Sequence, residues 1–212
     1  MPDVVGTQGT GAGISRSTSE VRGRLTDAAT RVATERGYLA VDAGQIARHA
    51  GVSVDEFHRH FTGKDQCLLV AYDRFLERML EHIDEACEGA ESWPEKVKIT
   101  IESAFDFVAE VPGPARVFAI DAMRTGAAAI ERSCSAIDSA ALRLKHGRLL
   151  FPAAADMPFP TERTLVAGVV MIASIQLLAE EADQLPRLAP EAVEMVLTPY
   201  VGARRARSLA LS

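Results

Sequence analysis

The sequence predicts an all-α protein of about nine helices. Apolar residues recur every three or four positions along most of the 212 residues, which is the period of an amphipathic helix. Helix starts such as the segment Ser92–Glu95 and stops such as Gly37 bound these stretches. No stretch shows the apolar–polar alternation of a half-buried strand, and no internal repeat is present in the sequence.

The N-terminal segment differs from the rest of the chain. Residues 1–17 are rich in Gly, Ser and Thr and lack an apolar period, which predicts a disordered arm. The first helix is expected over residues 18–36, where Leu25 and Val32 lie on one apolar stripe. Gly37 is expected to end it.

Residues 42–64 predict two short helices joined by a tight turn. Asp42 is the expected N-cap of the first helix, and Gln45 at its third position is expected to complete a capping box. Gly51 falls between the helices, where only glycine adopts a left-handed conformation without steric cost. This spacing predicts a helix-turn-helix.

The second helix of this motif is expected to begin after Ser53, with Glu56 completing a second capping box. In a helix-turn-helix, outward side chains of the second helix reach base edges in the major groove of DNA. The residues predicted to contact DNA are Ala43, Gln45, Val54, Asp55, His58, Arg59, His60 and Lys64.

Four of these residues have alternative interpretations. Asp55 can accept a hydrogen bond from cytosine N4, or it can merely favour the helix N-terminus. His60 is expected to bond either a phosphate or its own helix. Lys64, like Arg59, can be an ordinary surface charge, but it lies near a helix N-terminus, where a cation does not stabilise the helix dipole, so a phosphate contact explains it better.

Motifs from the first helix to the start of the fourth carry a family resemblance. They are Arg22, Leu25, Ala28, Ala29, Gly37-Tyr38, Ile46-Ala47, Ala50-Gly51-Val52-Ser53, Phe57, His60-Phe61, Lys64 and Leu68. In this order and spacing they resemble the TetR (tetracycline repressor-like) family of transcription regulators. His58 departs from the pattern, because the family usually has tyrosine there.

The resemblance implies a domain organisation and a function. It implies a helix-turn-helix DNA-binding domain over residues 18–64 and an effector-binding and dimerisation domain over residues 65–212. It also implies a homodimeric repressor that binds double-stranded DNA at a pseudo-palindromic operator. A small apolar effector is expected to release this repressor from the operator.

Six further helices are expected after the motif. They cover residues 65–87, the stretch from Ser92 up to Pro112, and residues 115–123, 127–149, 161–184 and 190–208, the last opened by Pro190. The resemblance implies an effector cavity among the fourth to eighth helices. The predicted ligand-binding residues are Phe75, Met79, Glu102, Phe105, Phe118, Met123 and Met171, with Glu102 as the polar contact.

The apolar run over residues 164–179 is the predicted dimer interface, together with residues 190–201. A helix this apolar would expose too large a patch in a monomer. The run falls short of the ~20 residues that span a bilayer, so no membrane association is expected. Val169 and Ile172 are the expected contact positions.

The charge distribution and the composition indicate which part of the chain DNA can approach and in which compartment the protein is expected. Residues 1–65 hold eight Lys/Arg and eight Asp/Glu, whereas residues 66–212 hold 15 and 21. DNA can therefore approach the neutral N-terminal part, while the acidic remainder repels it. Three cysteines without a CxxC pair, and an N-terminus without a signal peptide, predict a reduced, cytoplasmic protein.

Signatures of catalysis are missing from the sequence. It has no Gly-rich phosphate loop, GxSxG or HExxH, so no enzyme activity, catalytic residue or cofactor is predicted. His49, His58 and His60 have no Cys or carboxylate at a zinc-binding spacing, so no metal site is predicted. An alternative stays open: a helical small-molecule-binding enzyme, or an adaptor whose helix-turn-helix does not bind DNA.

Overall fold

A computed structural model describes residues 10–121 and 126–212, with side chains from Thr18 onward. Over these residues the chain is helical and forms no strand, which confirms the predicted all-α class. The helices are α1 (Thr10–Arg36), α2 (Ala43–Ala50), α3 (Val54–His60), α4 (Lys64–Ala86), α5 (Trp93–Glu110), α6 (Pro112–Arg116), α7 (Ala127–Lys145), α8 (Gly147–Leu150), α9 (Thr161–Ala179), α10 (Leu185–Val201) and α11 (Ala203–Ala210). Eleven α-helices are thus described, two of them with five residues or fewer, against about nine predicted.

The contacts divide the chain into two compact units, a head that ends at Asp73 and a body over Arg74–Ser212. The division falls within α4 rather than at its start. The first turns of α4 belong to the head because Cys67, Leu68 and Tyr72 are buried there. Burial raises the pKa of the Cys67 thiol to about 12, so this cysteine is a protonated, apolar packing element.

The first helix is longer than the sequence predicts. It begins at Thr10, so residues 10–17 of the expected arm have helical backbone, while residues 1–9 lie outside the described part. The helix extends because adding residues to a formed helix costs far less than starting one, even for weak formers such as Gly, Ser and Thr. Thr26 and Thr30 each donate a side-chain hydrogen bond to a carbonyl one turn earlier.

The body core is built around α10, which packs against α5, α9 and α11. Its last two helices differ from the predicted ones. α10 begins at Leu185 with Pro186 in its first turn, so Pro190 lies inside the helix instead of opening it. It ends at Gly202, whose positive φ of 79° separates α10 from α11.

The predicted helix over residues 127–149 is divided at His146 into α7 and α8, and Gly147 is the first residue of α8. A Cβ at this position would lie 2.4 Å from Trp93 Cζ2 and 2.8 Å from Tyr200 Cε1. The rings of Trp93 and Tyr200 pack with centroids 4.7 Å apart. Glycine is therefore required where this part of the chain crosses the aromatic pair.

A buried ionic cluster connects α8 to α9 and α10. Arg148 donates to both carboxylate oxygens of Glu162, at 2.5 and 2.8 Å, and also to the carbonyl oxygens of Met157 and Pro158. Glu162 is 4% exposed and lies 3.5 Å from the Tyr200 hydroxyl. The Arg148 guanidinium lowers the pKa of Glu162, whereas burial raises the pKa of Tyr200. The cluster fixes the loop between α8 and α9.

Candidate nucleic-acid interface

The turn between α2 and α3 has the geometry that the sequence predicts. The backbone N–H of Gln45 donates to Asp42 Oδ1 at 2.8 Å, and the N–H of Asp42 donates to Gln45 Oε1 at 3.1 Å. Gly51 is left-handed, with φ 68° and ψ 37°, and ends α2. The first capping box and the glycine turn are therefore confirmed. The predicted DNA contact Gln45 uses its side-chain oxygen in this cap.

The second capping box is only half formed, so the prediction for Glu56 is wrong. Ser53 Oγ accepts from the backbone N–H of Glu56 at 3.0 Å. The Glu56 carboxylate does not return to Ser53 but forms an ion pair with Arg59 and accepts from His60 Nε2 at 3.0 Å. Residues three and four positions apart share one side of a helix, and these charge-assisted contacts outweigh a bond to a neutral amide.

One face of α3 is open to solvent. Phe57 is fully buried against the head core, whereas Val54, Asp55 and His58 are exposed, and the Arg59 side chain is 71% exposed. The His58 ring lies edge-on to Phe57, with centroids 5.3 Å apart. Four predicted DNA contacts therefore lie together on the exposed face of α3.

The other predicted contacts are less accessible. His60 is 9% exposed and bonds Glu56, in agreement with the interpretation that it bonds its own helix. Lys64 is half-buried, and its Nζ donates to the carbonyl oxygen of Leu39 at 3.2 Å. Ala43 at the start of α2 is also half-buried. Lys64 thus connects the start of α4 to the 3-10 helix Tyr38–Ala40, which precedes α2.

Two arginines of α1 hold the motif in place. Arg22 Nη1 donates to the carbonyl oxygen of His60 at 3.0 Å, and Arg24 Nη1 donates to that of Ala50 at 3.3 Å. These carbonyls end α3 and α2, where helices leave acceptors unsatisfied and favour cations. Sequence reasoning missed both roles. The available signal was a pair of cations beside the buried stripe of α1.

The predicted ligand-binding residues of the body fall in different places. Phe105 and Phe118 are each 1% exposed, and the Phe75 ring lies 5.3 Å from that of Phe118 and 5.5 Å from that of Phe107. The structure therefore brings Phe75 and Phe118 into contact within an aromatic cluster that also contains Phe107.

The remaining predicted ligand-binding residues differ from these phenylalanines in exposure and position. Met79 is half-buried on α4, and Met171 is 59% exposed on α9. Met123 lies outside the described residues. The Glu102 carboxylate lies 3.9 Å from Lys98 Nζ, and burial raises the pKa of Glu102. No cluster of three or more potential metal ligands occurs in the part of the chain that the structure describes.

An apolar face of α9 and α10 has no partner within the described chain. We define it as the outer face, and its exposed members are Val170, Met171, Ile175 and Leu178 on α9 and Met195 on α10. By length and composition alone α9 could cross a membrane, with a mean hydropathy of 1.5. The expected contact positions Val169 and Ile172 are partly buried and pack against the body core.

The head sequence matches a known family. Residues 25–71 match the family described as bacterial regulatory proteins, tetR family. The transcriptional activator FasR of Mycolicibacterium smegmatis is 30% identical over 89 residues, covering 42% of this chain and 41% of that protein. The transcriptional regulator BetI of Rhizobium meliloti is 36% identical over 84 residues, covering 40% and 41%. The chain spans about two fifths of the length of these curated relatives.

Solved structures show a similar fold over most of the chain. The fatty acid degradation regulator FadR from Bacillus halodurans has a TM-score of 0.72 at 19% identity, covering 86% of this chain and 96% of that one. FadR from Bacillus subtilis has a TM-score of 0.70 at 17% identity, covering 85% and 98%. These proteins are named as regulators, not as enzymes. Residues 25–71 therefore carry a domain of the tetR family of bacterial regulatory proteins, and the all-α fold over most of the chain is similar to that of solved regulators.

Proposed function

We propose that this chain is a sequence-specific DNA-binding transcription regulator. The observation that carries the proposal is the left-handed Gly51 turn, which leaves one face of α3 exposed while Phe57 anchors the opposite face. Val54, Asp55, His58 and Arg59 lie on that exposed face, where a recognition helix contacts base edges. The half-buried Ala43, Gln45 and Lys64 flank it and contact the phosphate backbone.

The DNA-binding form is a homodimer that assembles through the outer face. Five large apolar side chains are exposed along α9 and α10, and a second copy of the same face would cover them. A twofold dimer reads two half-sites about 34–36 Å apart, which makes the operator a pseudo-palindrome. Binding to genomic DNA places the protein in the cytoplasm.

The body binds a mostly apolar effector that releases the DNA. Support comes from the aromatic cluster of Phe75, Phe107 and Phe118, and Glu102, on the same helix as Phe107, is the candidate polar contact. The structurally similar FadR from Bacillus subtilis is described in complex with stearoyl-CoA, which suggests long-chain acyl compounds as the first ligands to test. A coupling free energy of about 1–3 kcal/mol between effector and DNA would change operator affinity about 5–150-fold. In this scheme the protein is a repressor.

Selection of duplexes from a random pool, followed by sequencing, tests the DNA-binding function directly. The expected result is one enriched pseudo-palindrome with half-sites about 10–10.5 base pairs apart, or a multiple of this distance. An adaptor or an enzyme with this fold would enrich no sequence. Stearoyl-CoA and shorter acyl-CoAs are then titrated into the protein–operator complex, with free coenzyme A as the control. Release by none of the acyl-CoAs would contradict an acyl-CoA effector and leave the DNA-binding function intact.

A further inference from the structure

On the recognition helix α3, the carboxylate of Glu56 lies beside the guanidinium of Arg59, the cation expected to contact DNA. The two carboxylate oxygens of Glu56 are both used: one forms an ion pair with Arg59, and the other accepts from His60 Nε2. The Glu56 side chain is 25% exposed and that of His60 is 9% exposed. Glu56 is therefore held close to the helix surface, while Arg59 at 71% exposure extends into solvent.

This arrangement removes most of the positive charge of α3. Arg59 is the only Lys or Arg between Val54 and His60, where Asp55 and Glu56 supply two negative charges. Arg22 and Lys64 each have a donor engaged inside the head, with the carbonyl oxygens of His60 and Leu39, whereas Arg48 on α2 is exposed. Arg59 is thus the only Lys or Arg that α3 itself offers to DNA, and its charge is already balanced by Glu56.

The Glu56–Arg59 ion pair affects contacts with phosphate differently from contacts with base edges. Binding to duplex of any sequence depends on Lys and Arg that neutralise phosphates and release counterions. A phosphate is repelled by the Glu56 carboxylate, whereas the edge of guanine is neutral. The guanidinium has five N–H donors, so those not bonded to Glu56 remain open to guanine O6 and N7.

We propose that Glu56 is a specificity-determining residue that competes with DNA phosphate for Arg59. It lowers the affinity for duplex of any sequence more than the affinity for the operator, and so raises the ratio between the two. This inference rests on the proposed DNA-binding function and concerns one residue of the same surface.

The test compares Glu56→Gln with Asp55→Asn. Both substitutions remove one negative charge from the same turn of α3, but only Glu56 contacts Arg59 and His60. Glutamine keeps the side-chain shape, and the backbone N–H at this position still caps on Ser53. Fluorescence anisotropy measures binding to a random-sequence duplex and to the selected operator over a series of salt concentrations.

Glu56→Gln is expected to bind random duplex about five- to tenfold more tightly in roughly 0.1 M salt. The salt slope should steepen by about one for each recognition helix that contacts the duplex. Operator affinity should rise less, so the ratio of operator to random affinity falls. Asp55→Asn removes an anion from the same face without freeing a cation, so it should raise random-duplex affinity by less than half as much and steepen the salt slope less.

The same substitution in Arg59→Ala protein separates the Glu56–Arg59 contact from the general effect of removing a negative charge. In Arg59→Ala protein the cation is gone, so adding Glu56→Gln should give no further gain on random duplex beyond that of Asp55→Asn. Thermal melting confirms that each variant is folded. If Glu56→Gln is not folded, Glu56→Ser is used instead. It also removes the charge, and it leaves the backbone N–H that caps on Ser53.

Two sets of results would overturn the inference. Equal gains for Glu56→Gln and Asp55→Asn, a gain that persists without Arg59, or an unchanged ratio would refute it while the DNA-binding function stands. Failure of the wild-type protein to bind any duplex would overturn the inference and the proposed function together.

Discussion

The guanidinium of Arg22 lies 4.4 Å from the centroid of the Phe61 ring, above its face, while its Nη1 bonds the last carbonyl of α3. Arg22→Ala should therefore lower the stability of the head by about 1–2 kcal/mol, from the lost cation–π contact and hydrogen bond. It should also weaken operator binding, because the end of α3 loses its anchor. Urea unfolding and anisotropy measure both effects. Arg31→Ala, at an exposed position of the same helix, is the control and should change neither.

Gly51→Val should destabilise the head because a β-branched side chain is forced to φ 68°. The expected cost is about 1–3 kcal/mol, with loss of operator binding. Gly63→Val is the matched control, since a Cβ at Gly63 meets nothing within 4 Å and its φ is not positive. Thermal melting and a footprint on the operator distinguish the two variants. An intact footprint from Gly51→Val would contradict the role given to this turn.

Gly147→Ala should destabilise the body, since its Cβ would overlap the Trp93 ring. Overpacking of this kind costs about 1–3 kcal/mol. Gly126→Ala serves as the control because a Cβ there meets nothing within 4 Å. The measurement is the shift in urea midpoint together with Trp93 fluorescence, which reports on the aromatic pair directly. Equal stability of the two variants would show that the rings move aside without cost.

The contribution of Glu162 should depend on pH. Arg148 holds the folded-state pKa of Glu162 below its ordinary value, so the stabilisation is present above the unfolded value of about 4.3 and is lost as the pH falls through the lower folded value. Glu162→Gln should cost about 1–3 kcal/mol at neutral pH and progressively less in acid. Urea unfolding at a series of pH values tests this, with the exposed Glu191→Gln as control. A cost that is independent of pH would contradict the ionic role.

Met171→Asp and Ile175→Asp should dissociate the proposed dimer, because each places a carboxylate in the middle of the outer face. Sedimentation equilibrium should show monomer, or aggregate if the exposed face associates without specificity. Leu142→Asp is the control, since Leu142 is 71% exposed on α7 and does not belong to that face. A wild-type protein that sediments as a monomer would refute the interface outright.

The sequence predicted the fold class and the turn around Gly51 because these depend on local signals, namely apolar period and backbone conformation. It did not predict the partners of Glu56, since capping and ion pairing compete at the same spacing and only side-chain geometry decides between them. The Arg148–Glu162 pair was also missed, because its members lie on either side of an irregular proline-containing loop. Long-range pairing of single charges leaves no periodic trace in a sequence.

The orientation of α9 is a second feature that the sequence did not determine. Apolar periodicity identifies a helix that is covered on most sides, but it does not say which stripe faces the body core and which faces a second molecule. Val169 and Met171 are equally apolar to such an analysis, yet only the former packs against the core. Discrimination requires the positions of α10 and α5, and those follow from contacts distant in sequence.

The outer face also affects how the stability of the folded chain depends on protein concentration. Only one side of α9 is covered within the described chain, so in the proposed dimer part of the apolar burial energy is gained only when two chains associate. The melting temperature should then rise with protein concentration, because association between folded chains stabilises the folded state by mass action. A dilute, newly made monomer carries a helix with the composition of a membrane span, and its abundance sets how long that helix stays uncovered.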